Sequence, residues 1–573
     1  MIEISQNLFL PISRDEMHER GWDAVDIALI TGDAYVDHPG FGTAVIGRVL
    51  EAAGYRVGII AMPDWQDPKS ITVFGEPRLF FGISSGNVDS MLSRYTAFKK
   101  TRRDDPYAPG GKGGHKPSRA LIVYSNLVRQ VYKKIPIVIG GIEASMRRFV
   151  HYDFWSDKVR RSILEDTRAS VLVYGMSERA ITTVAERIAS KSELHNIPGT
   201  VILSQDSPEK ATLLPSEESM IESFTAFNKG YGVFYRNQHR PLVQPIGKRF
   251  WIQHPQATTS TQDLDRIYAL PFTRQLHHMY DETVPALEMI RDSITAHRGC
   301  VSGCGFCSLN LHQGRRIVSR SPESVVHEIE ELSRTNEFKG HITDIGGPSA
   351  NMYGFECSQD WICSRESCLF PDVCPNLRMG NEPWLSLLDR AKKVRGVNHV
   401  TVGSGLRYDV FMRDPHYKRQ LKRLAQNHVS GQLKIAPEHV DEGTLRAMRK
   451  KPLSSLYDFI RDFKSASENA GKKQYLVPYV MSCHPGSSKG AEAKLRQEIS
   501  QLFGFSPEQA QAFIPLPMTL SSVIYYTGRD PLTNEKFAII RDPAKRKAQH
   551  QILMGKGNKR GVQRKKSRNS RKA

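Results

Sequence analysis

Hydrophobic residues recur along the first third of the chain in short runs of five to seven, a length that suits strands covered on both faces. Such runs fall at residues 25–31, 56–61, 78–83, 120–124, 135–139 and 170–174, and each is read as a strand. Between the first two, residues 43–53 carry apolar positions at helical spacing and stop at Gly54. Strands alternating with helices predict parallel pairing and an α/β fold built on a doubly wound sheet. Several runs end in glycine or small polar residues, among them Gly140-Gly141-Ile142-Glu143-Ala144-Ser145 and Tyr174-Gly175-Met176-Ser177-Glu178. Loops at the carboxyl ends of such a sheet line its ligand crevice; the same glycines also serve as tight strand-to-helix turns.

A second strand and helix series starts near residue 285. Strands are expected at 293–296, 341–345, 399–402, 432–435 and 474–480, and helices at 321–332, 385–395, 418–426 and 442–448. This repetition predicts a partial or full βα barrel, with its chemistry at the carboxyl ends of the strands. The expected organisation is an amino-terminal α/β domain over 1–205, a linking region over 206–284, a barrel over 285–540 with a cysteine-rich insertion at 355–376, and a basic disordered tail over 541–573. In the linking region, residues 251–255 and 268–272 look extended. The Gly/Pro-rich stretch 102–117 reads as a surface loop, and it lacks the Gly-Lys-Ser/Thr ending of a phosphate-binding P-loop.

Charge adds a partner class. The formal net charge is +20, and residues 541–573 hold thirteen lysines and arginines against one acid. Such a tail suits contact with RNA phosphates by counterion release, or stays solvated without a partner. The longest apolar stretches fall well short of the roughly 20 residues that span a bilayer, so no membrane segment is expected. The first residues lack the basic and apolar regions of a secretory signal, which predicts a cytoplasmic location.

Seven of the eight cysteines lie between Cys300 and Cys374, and the eighth is Cys483. In a cytoplasmic chain, clustered thiols point to metal or iron-sulfur chemistry ahead of disulfides. Arg298-Gly299-Cys300-Val301-Ser302-Gly303-Cys304-Gly305-Phe306-Cys307 places three cysteines at Cys-x3-Cys-x2-Cys. Three thiolates on one loop can hold three corners of a 4Fe-4S cluster and leave one iron open. A zinc site made from Cys300, Cys304 and Cys307 with His312 or His297 is the rival reading. Cys357, Cys363, Cys368 and Cys374 form a second set, sufficient for zinc or another Fe-S cluster, or free thiols of a surface insertion. Cys483 reads as a small buried hydrophobe.

The triad resembles the signature of the radical S-adenosylmethionine enzymes, in which an aromatic residue, here Phe306, precedes the last cysteine. The resemblance implies a 4Fe-4S cluster, S-adenosylmethionine chelated at the open iron, a 5′-deoxyadenosyl radical, and a reductant of flavodoxin or ferredoxin type. It also implies that Gly346 and Gly347, in Thr343-Asp344-Ile345-Gly346-Gly347-Pro348, receive the cosubstrate's amino group. Pro348 stands where the family often has Glu. Arg407 and Glu438 are candidates to meet its carboxylate and ribose; salt bridging inside the barrel explains either residue as well.

The chain is most similar to YgiQ-type radical SAM proteins, through Asp33-Ala34-Tyr35-Val36-Asp37-His38-Pro39, Tyr268-Ala269-Leu270-Pro271-Phe272 and the cysteine insertion. The amino-terminal domain of that group resembles cobalamin-binding domains. Here the Asp-x-His-x-x-Gly motif is absent, since His38 directly follows Asp37, and cobalamin is not expected. The non-enzymatic alternative is a zinc or Fe-S nucleic-acid-binding protein. The substrate stays unknown.

Overall fold

The computed structural model describes residues 9–359, 363–451, 454–505, 507 and 510–555. Nine strands form the first sheet: β1 (Ile27–Thr31), β2 (Val57–Ala61), β3 (Phe80–Ser84), β4 (Ile137–Ile139), β5 (Val171–Val173), β6 (Thr200–Ser204), β7 (Thr212–Leu213), β8 (Leu242–Ile246) and β9 (Arg249–Gln253). Their spatial order is β7-β8-β9-β6-β5-β4-β3-β1-β2. Strands β2, β1, β3, β4 and β5 pair in parallel, giving the 2-1-3-4-5 order whose switch point lies between β1 and β3. The unbroken apolar runs follow from burial on both faces. In β1, Ala28 and Ile30 join one core while Ile27 and Leu29 join the other, as the strand period of two requires.

Three expectations are corrected. The run at 120–124 opens a helix, Ala120–Val131, whose buried Ala120, Leu121, Tyr124, Leu127 and Val128 follow the helical period that a five-residue window hides. The stretch 206–284 is more than a linker. It contributes β7, β8 and β9, with β6, β9 and β8 added antiparallel, so the sheet runs past residue 205. Residues 251–253 are therefore strand, extended because Trp251 and Ile252 pack into the two cores.

The third correction concerns the tail. Residues 543–553 form a helix, Pro543–Leu553, with proline in its first turn and the Asp542 side chain capping Lys545 N–H at 2.7 Å. Arg546 is buried within it. Its guanidinium donates to Tyr525 Oη at 3.0 Å and to the Phe513 carbonyl, and lies over the rings of Phe154 and Tyr525. Basic composition misleads here because the arginine is spent on packing. The rest of the tail, 556–573, and with it the RNA-contact expectation, lies outside the described residues.

The second unit is an arc of parallel strands in chain order: β10 (Ser293–Thr295), β11 (His341–Ile342), β12 (Asp344–Gly346), β13 (His399–Val400), β14 (Gln432–Glu438), β15 (Tyr475–Ser482) and β16 (Gln511–Ala512). β10 pairs with β12, β11 with β13, β14 with β15, and β15 with β16. A parallel bridge from Leu406 to Ile435 carries the arc across to β14. This is a partial βα barrel, built from the strands that the apolar pattern predicts. No helix among the described residues is long and apolar enough to cross a membrane.

Beyond β15, buried Glu492 joins the barrel to the last helix. Its Oε1 accepts from Cys483 N–H at 2.9 Å, Ser487 Oγ at 2.8 Å and Gln549 Nε2 at 3.1 Å. Burial pushes its carboxyl up to about 7, against those bonds. Between the unfolded and folded values the native state holds a proton that the unfolded chain releases, so this group's contribution is present at low pH and lost as pH climbs through 7. Replacing Glu492 by Gln is expected to raise stability at pH 8 relative to pH 5, by at most ~3 kcal/mol. Denaturant titrations of both proteins at the two pH values check it; equal pH dependence contradicts it.

Candidate active site

The cysteine loop leaves the short strand His297–Arg298 and ends in the helix Leu309–His312. Sterics dictate its path. Gly299 has φ +86°, and a Cβ there would meet the Arg316 carbonyl oxygen at 1.9 Å; at Gly303, with φ +64°, it would meet that of Glu366 at 2.4 Å. No side chain fits either position. Gly305 pins the middle, donating to the Met448 carbonyl at 2.9 Å and accepting from Ser521 N–H at 2.8 Å. Cys307 N–H donates to the Cys304 carbonyl at 3.1 Å, turning two of the thiols toward one another.

Burial raises the Cys304 and Cys307 thiols, and the neighbouring thiols of the triad raise them further. Lys450 and Arg407 oppose this at Cys304. The three sulfurs thus lie in one environment, with two cations acting on Cys304. Three thiolates on one loop are a soft donor set that fits an iron-sulfur cluster with one open iron, whereas zinc needs a fourth protein ligand to close a structural site. Neither candidate histidine completes a compact site with the thiols. His312 Nδ1 lies 3.0 Å from Ser145 Oγ of the first domain, and His297 turns toward a cavity.

The other expected residues are distributed as follows. Phe306 is partly buried, its ring edge-on to His484 at 6.1 Å. The Arg407 guanidinium grips Asp409 through two bonds, of 2.8 and 2.6 Å, and donates to Ser302 Oγ in the cysteine loop. Glu438 has φ +67° at the end of β14, where pairing with β15 is irregular, and lies 3.4 Å from Lys450 Nζ. Both Arg407 and Glu438 act electrostatically on the thiols. Gly346 and Gly347 stand at the end of β12. A Cβ on Gly347 would come within 2.5 Å of the His297 carbonyl oxygen, so packing alone requires glycine there.

A cavity of about 720 Å³ lies between the two units. The first sheet contributes Gly82, Gly140, Gly141 and Gly175 from its carboxyl edge, and the barrel contributes His297, Asp344, Gly346, Gly347 and Pro348. The glycine-ended runs therefore do line a crevice, one closed by the barrel. His297 is buried, and neither ring nitrogen has a partner in good hydrogen-bond geometry, the Ser349 backbone making only a weak contact. Burial lowers its pKa to about 4 and keeps it neutral. Sequence reasoning weighed His297 only as a zinc ligand and did not single out Lys450; their one sequence cue is position at or after a barrel strand end.

The interface is held beside the cysteine loop. Arg298 Nη1 donates to Glu178 Oε1 at 2.5 Å, and Arg298 Nε to Tyr268 Oη at 3.1 Å. Ser145 Oγ accepts from Gly175 N–H at 3.0 Å while facing His312.

Two other histidine environments bear on metals. His38 is buried, with Nδ1 accepting from Gly40 N–H at 2.9 Å and Nε2 2.9 Å from Arg274 Nη1, so both ring nitrogens have protein partners. Glu16, His277 and His278 converge within 4.8 Å. His277 Nδ1 accepts Met279 N–H, which puts its proton on Nε2 facing Glu16 at 3.2 Å. A metal-bound histidine donates from its other nitrogen, the opposite arrangement. This group is a hydrogen-bonded carboxylate.

Comparison with known proteins follows the same division of the chain. The family described as Radical SAM N-terminal matches residues 9–293, and a Domain of unknown function (DUF3362) matches 508–557. A UPF0313 protein of Clostridium botulinum (strain 657 / Type Ba4) is 43% identical over 561 residues, covering 95% of this chain and 87% of its own. A UPF0313 protein of Methanocella arvoryzae is 43% identical over 558 residues, covering 95% and 92%. Among solved structures, the radical S-adenosylmethionine methyltransferase TsrM from Kitasatospora setae, with cobalamin and a [4Fe-4S] cluster bound, matches with a TM-score of 0.51. It is 13% identical, with 87% of this chain and 77% of that chain covered, a likeness of fold.

Glu178→Ala strands a buried guanidinium at the interface and is expected to cost ~3–5 kcal/mol. Glu178→Ala with Arg298→Met removes both charges and should recover most of that loss. Denaturant unfolding of the two variants checks this; equal stability of the single and double variants contradicts it.

Proposed function

Because the chain belongs to the UPF0313 family and carries the radical SAM amino-terminal domain, it is a radical SAM enzyme, and we propose that Cys300, Cys304 and Cys307 hold a 4Fe-4S cluster open to S-adenosylmethionine. When bound, that group supplies the electron that cleaves the cosubstrate's carbon–sulfur bond and yields a 5′-deoxyadenosyl radical, the cluster being recharged by a one-electron donor of flavodoxin or ferredoxin class. The observation that carries the reading is the convergence of three thiols, Arg407, Lys450, Glu438 and Phe306 on one loop whose course requires glycine at 299 and 303.

The chain's own residues then divide the work. Lys450 and Arg407 favour the deprotonated thiols that metal ligation requires, and Asp409 keeps Arg407 in place. Gly346 and Gly347 leave the end of β12 bare for the cosubstrate's amino group, while Pro348 contributes no carboxylate there. Glu438, at the end of β14, meets ribose hydroxyls. Substrate occupies the cavity toward the first sheet, whose lining includes neutral His297. Since His38 is engaged by Gly40 and Arg274, no histidine ligand to cobalt is assigned.

Anaerobic reconstitution of the full chain with iron and sulfide tests the reading. Replacing Cys300, Cys304 or Cys307 by Ala is expected to remove the iron of this site and abolish 5′-deoxyadenosine formation. Undiminished iron together with 5′-deoxyadenosine in any of the three variants overturns the assignment.

A further inference from the structure

Among its described residues the cysteine insertion has almost no regular structure of its own. A two-residue pairing of Glu356–Cys357 with Leu377–Arg378 closes its neck. Its apolar support is a small cluster in which Phe355 and Leu369 pack with Val301, Ile317, Met352 and Val410, and Cys300 and Cys368 lie against it. So small a core stabilises a segment of this size poorly without a cross-link. The cross-link is not a disulfide, because all four of its cysteines are free.

The insertion nevertheless gathers its thiols. Cys374 is buried and donates its N–H to the Cys368 carbonyl at 2.8 Å. Cys357, Cys363 and Cys374 all lie within electrostatic reach of Cys368. Arg315 reaches in from the barrel side, within the same range of Cys363, Cys368 and Glu366. Four thiolates around a dipositive centre leave a net charge of −2, which a buried guanidinium partly offsets. An all-cysteine set of four is the soft donor set that iron-sulfur clusters take, and its place against the first cysteine loop suits a redox-active centre.

We propose that Cys357, Cys363, Cys368 and Cys374 hold a second iron-sulfur cluster of the 4Fe-4S class, closed at all four corners by protein thiolates. With no open iron, it has no place for a cosubstrate and is confined to one-electron storage and to bracing the insertion. It sits directly against the first loop. Cys368 N–H donates to the Val301 carbonyl at 3.0 Å, and Ser367 Oγ to the Ser302 carbonyl at 2.5 Å. The proposal stands whether or not Cys300, Cys304 and Cys307 carry their own cluster.

The test is iron, sulfide and zinc content with Mössbauer and EPR spectra of the full chain after anaerobic reconstitution. Wild type is expected to hold about eight iron atoms, and the Cys300→Ala/Cys304→Ala/Cys307→Ala variant about four, in a cluster that dithionite reduces to an EPR-active state. The variant with Cys357, Cys363, Cys368 and Cys374 all replaced by Ala should lose the complementary half. An iron-free triple variant, or one zinc per chain in it, overturns the proposal. If the quadruple variant does not fold, the triple variant decides: about four iron atoms per chain without zinc supports the second cluster, and no iron overturns it. Full iron in the triple variant and none in the quadruple one would uphold this site while refuting the three-thiol assignment.

Discussion

The buried pair between Arg298 and Glu178 is the contact on which the arrangement rests. Glu178 is the first residue of the helix after β5, where a carboxylate also complements the helix dipole, and Arg298 is the last ordered strand residue before the cysteine loop. One ion pair therefore fixes the carboxyl edge of the sheet against the start of that loop. With Tyr268 beside Arg298 and Ser145 against His312, the cavity becomes a chamber with walls from both units. Its strand order places that chamber at the carboxyl edge of a 2-1-3-4-5 sheet, where α/β folds bind ligands, and the barrel presents its own strand ends to the same space.

Within the barrel, charge and sterics act together on the thiols. Gly299 and Gly303 occupy positions with positive φ and no room for a side chain, so only glycine is compatible with this course of the loop. Buried thiols resist ionisation, and Lys450 and Arg407 partly offset that resistance at the middle cysteine. The insertion repeats this with Arg315. It is bonded to the first loop at the carbonyls of residues 301 and 302, which makes the two cysteine sets neighbours.

Much of the fold was legible because its signals are local. The barrel strands and helices announce themselves by period and by terminal glycines, and the three-cysteine spacing lies within one loop. The errors share a cause: each concerns a segment whose character depends on a distant partner. Ala120 to Tyr124 looks like a strand until Leu127 and Val128 extend the helical stripe. Trp251 and Ile252 look like linker until β6 is placed beside them. Arg546 looks like a tail charge until Phe154 and Tyr525 receive it.

The sequence by itself determined the α/β character, the two-unit order and which thiols are close along the chain, since backbone period, turn chemistry and short spacing act over few residues. Tertiary structure alone decided that His297 lines a cavity, that His38 and His312 are engaged elsewhere, and that Arg315 meets the second cysteine set. Those facts depend on contacts between residues tens to hundreds of positions apart. Such contacts are set by how the sheet, barrel and insertion share buried surface, and no local pattern encodes that.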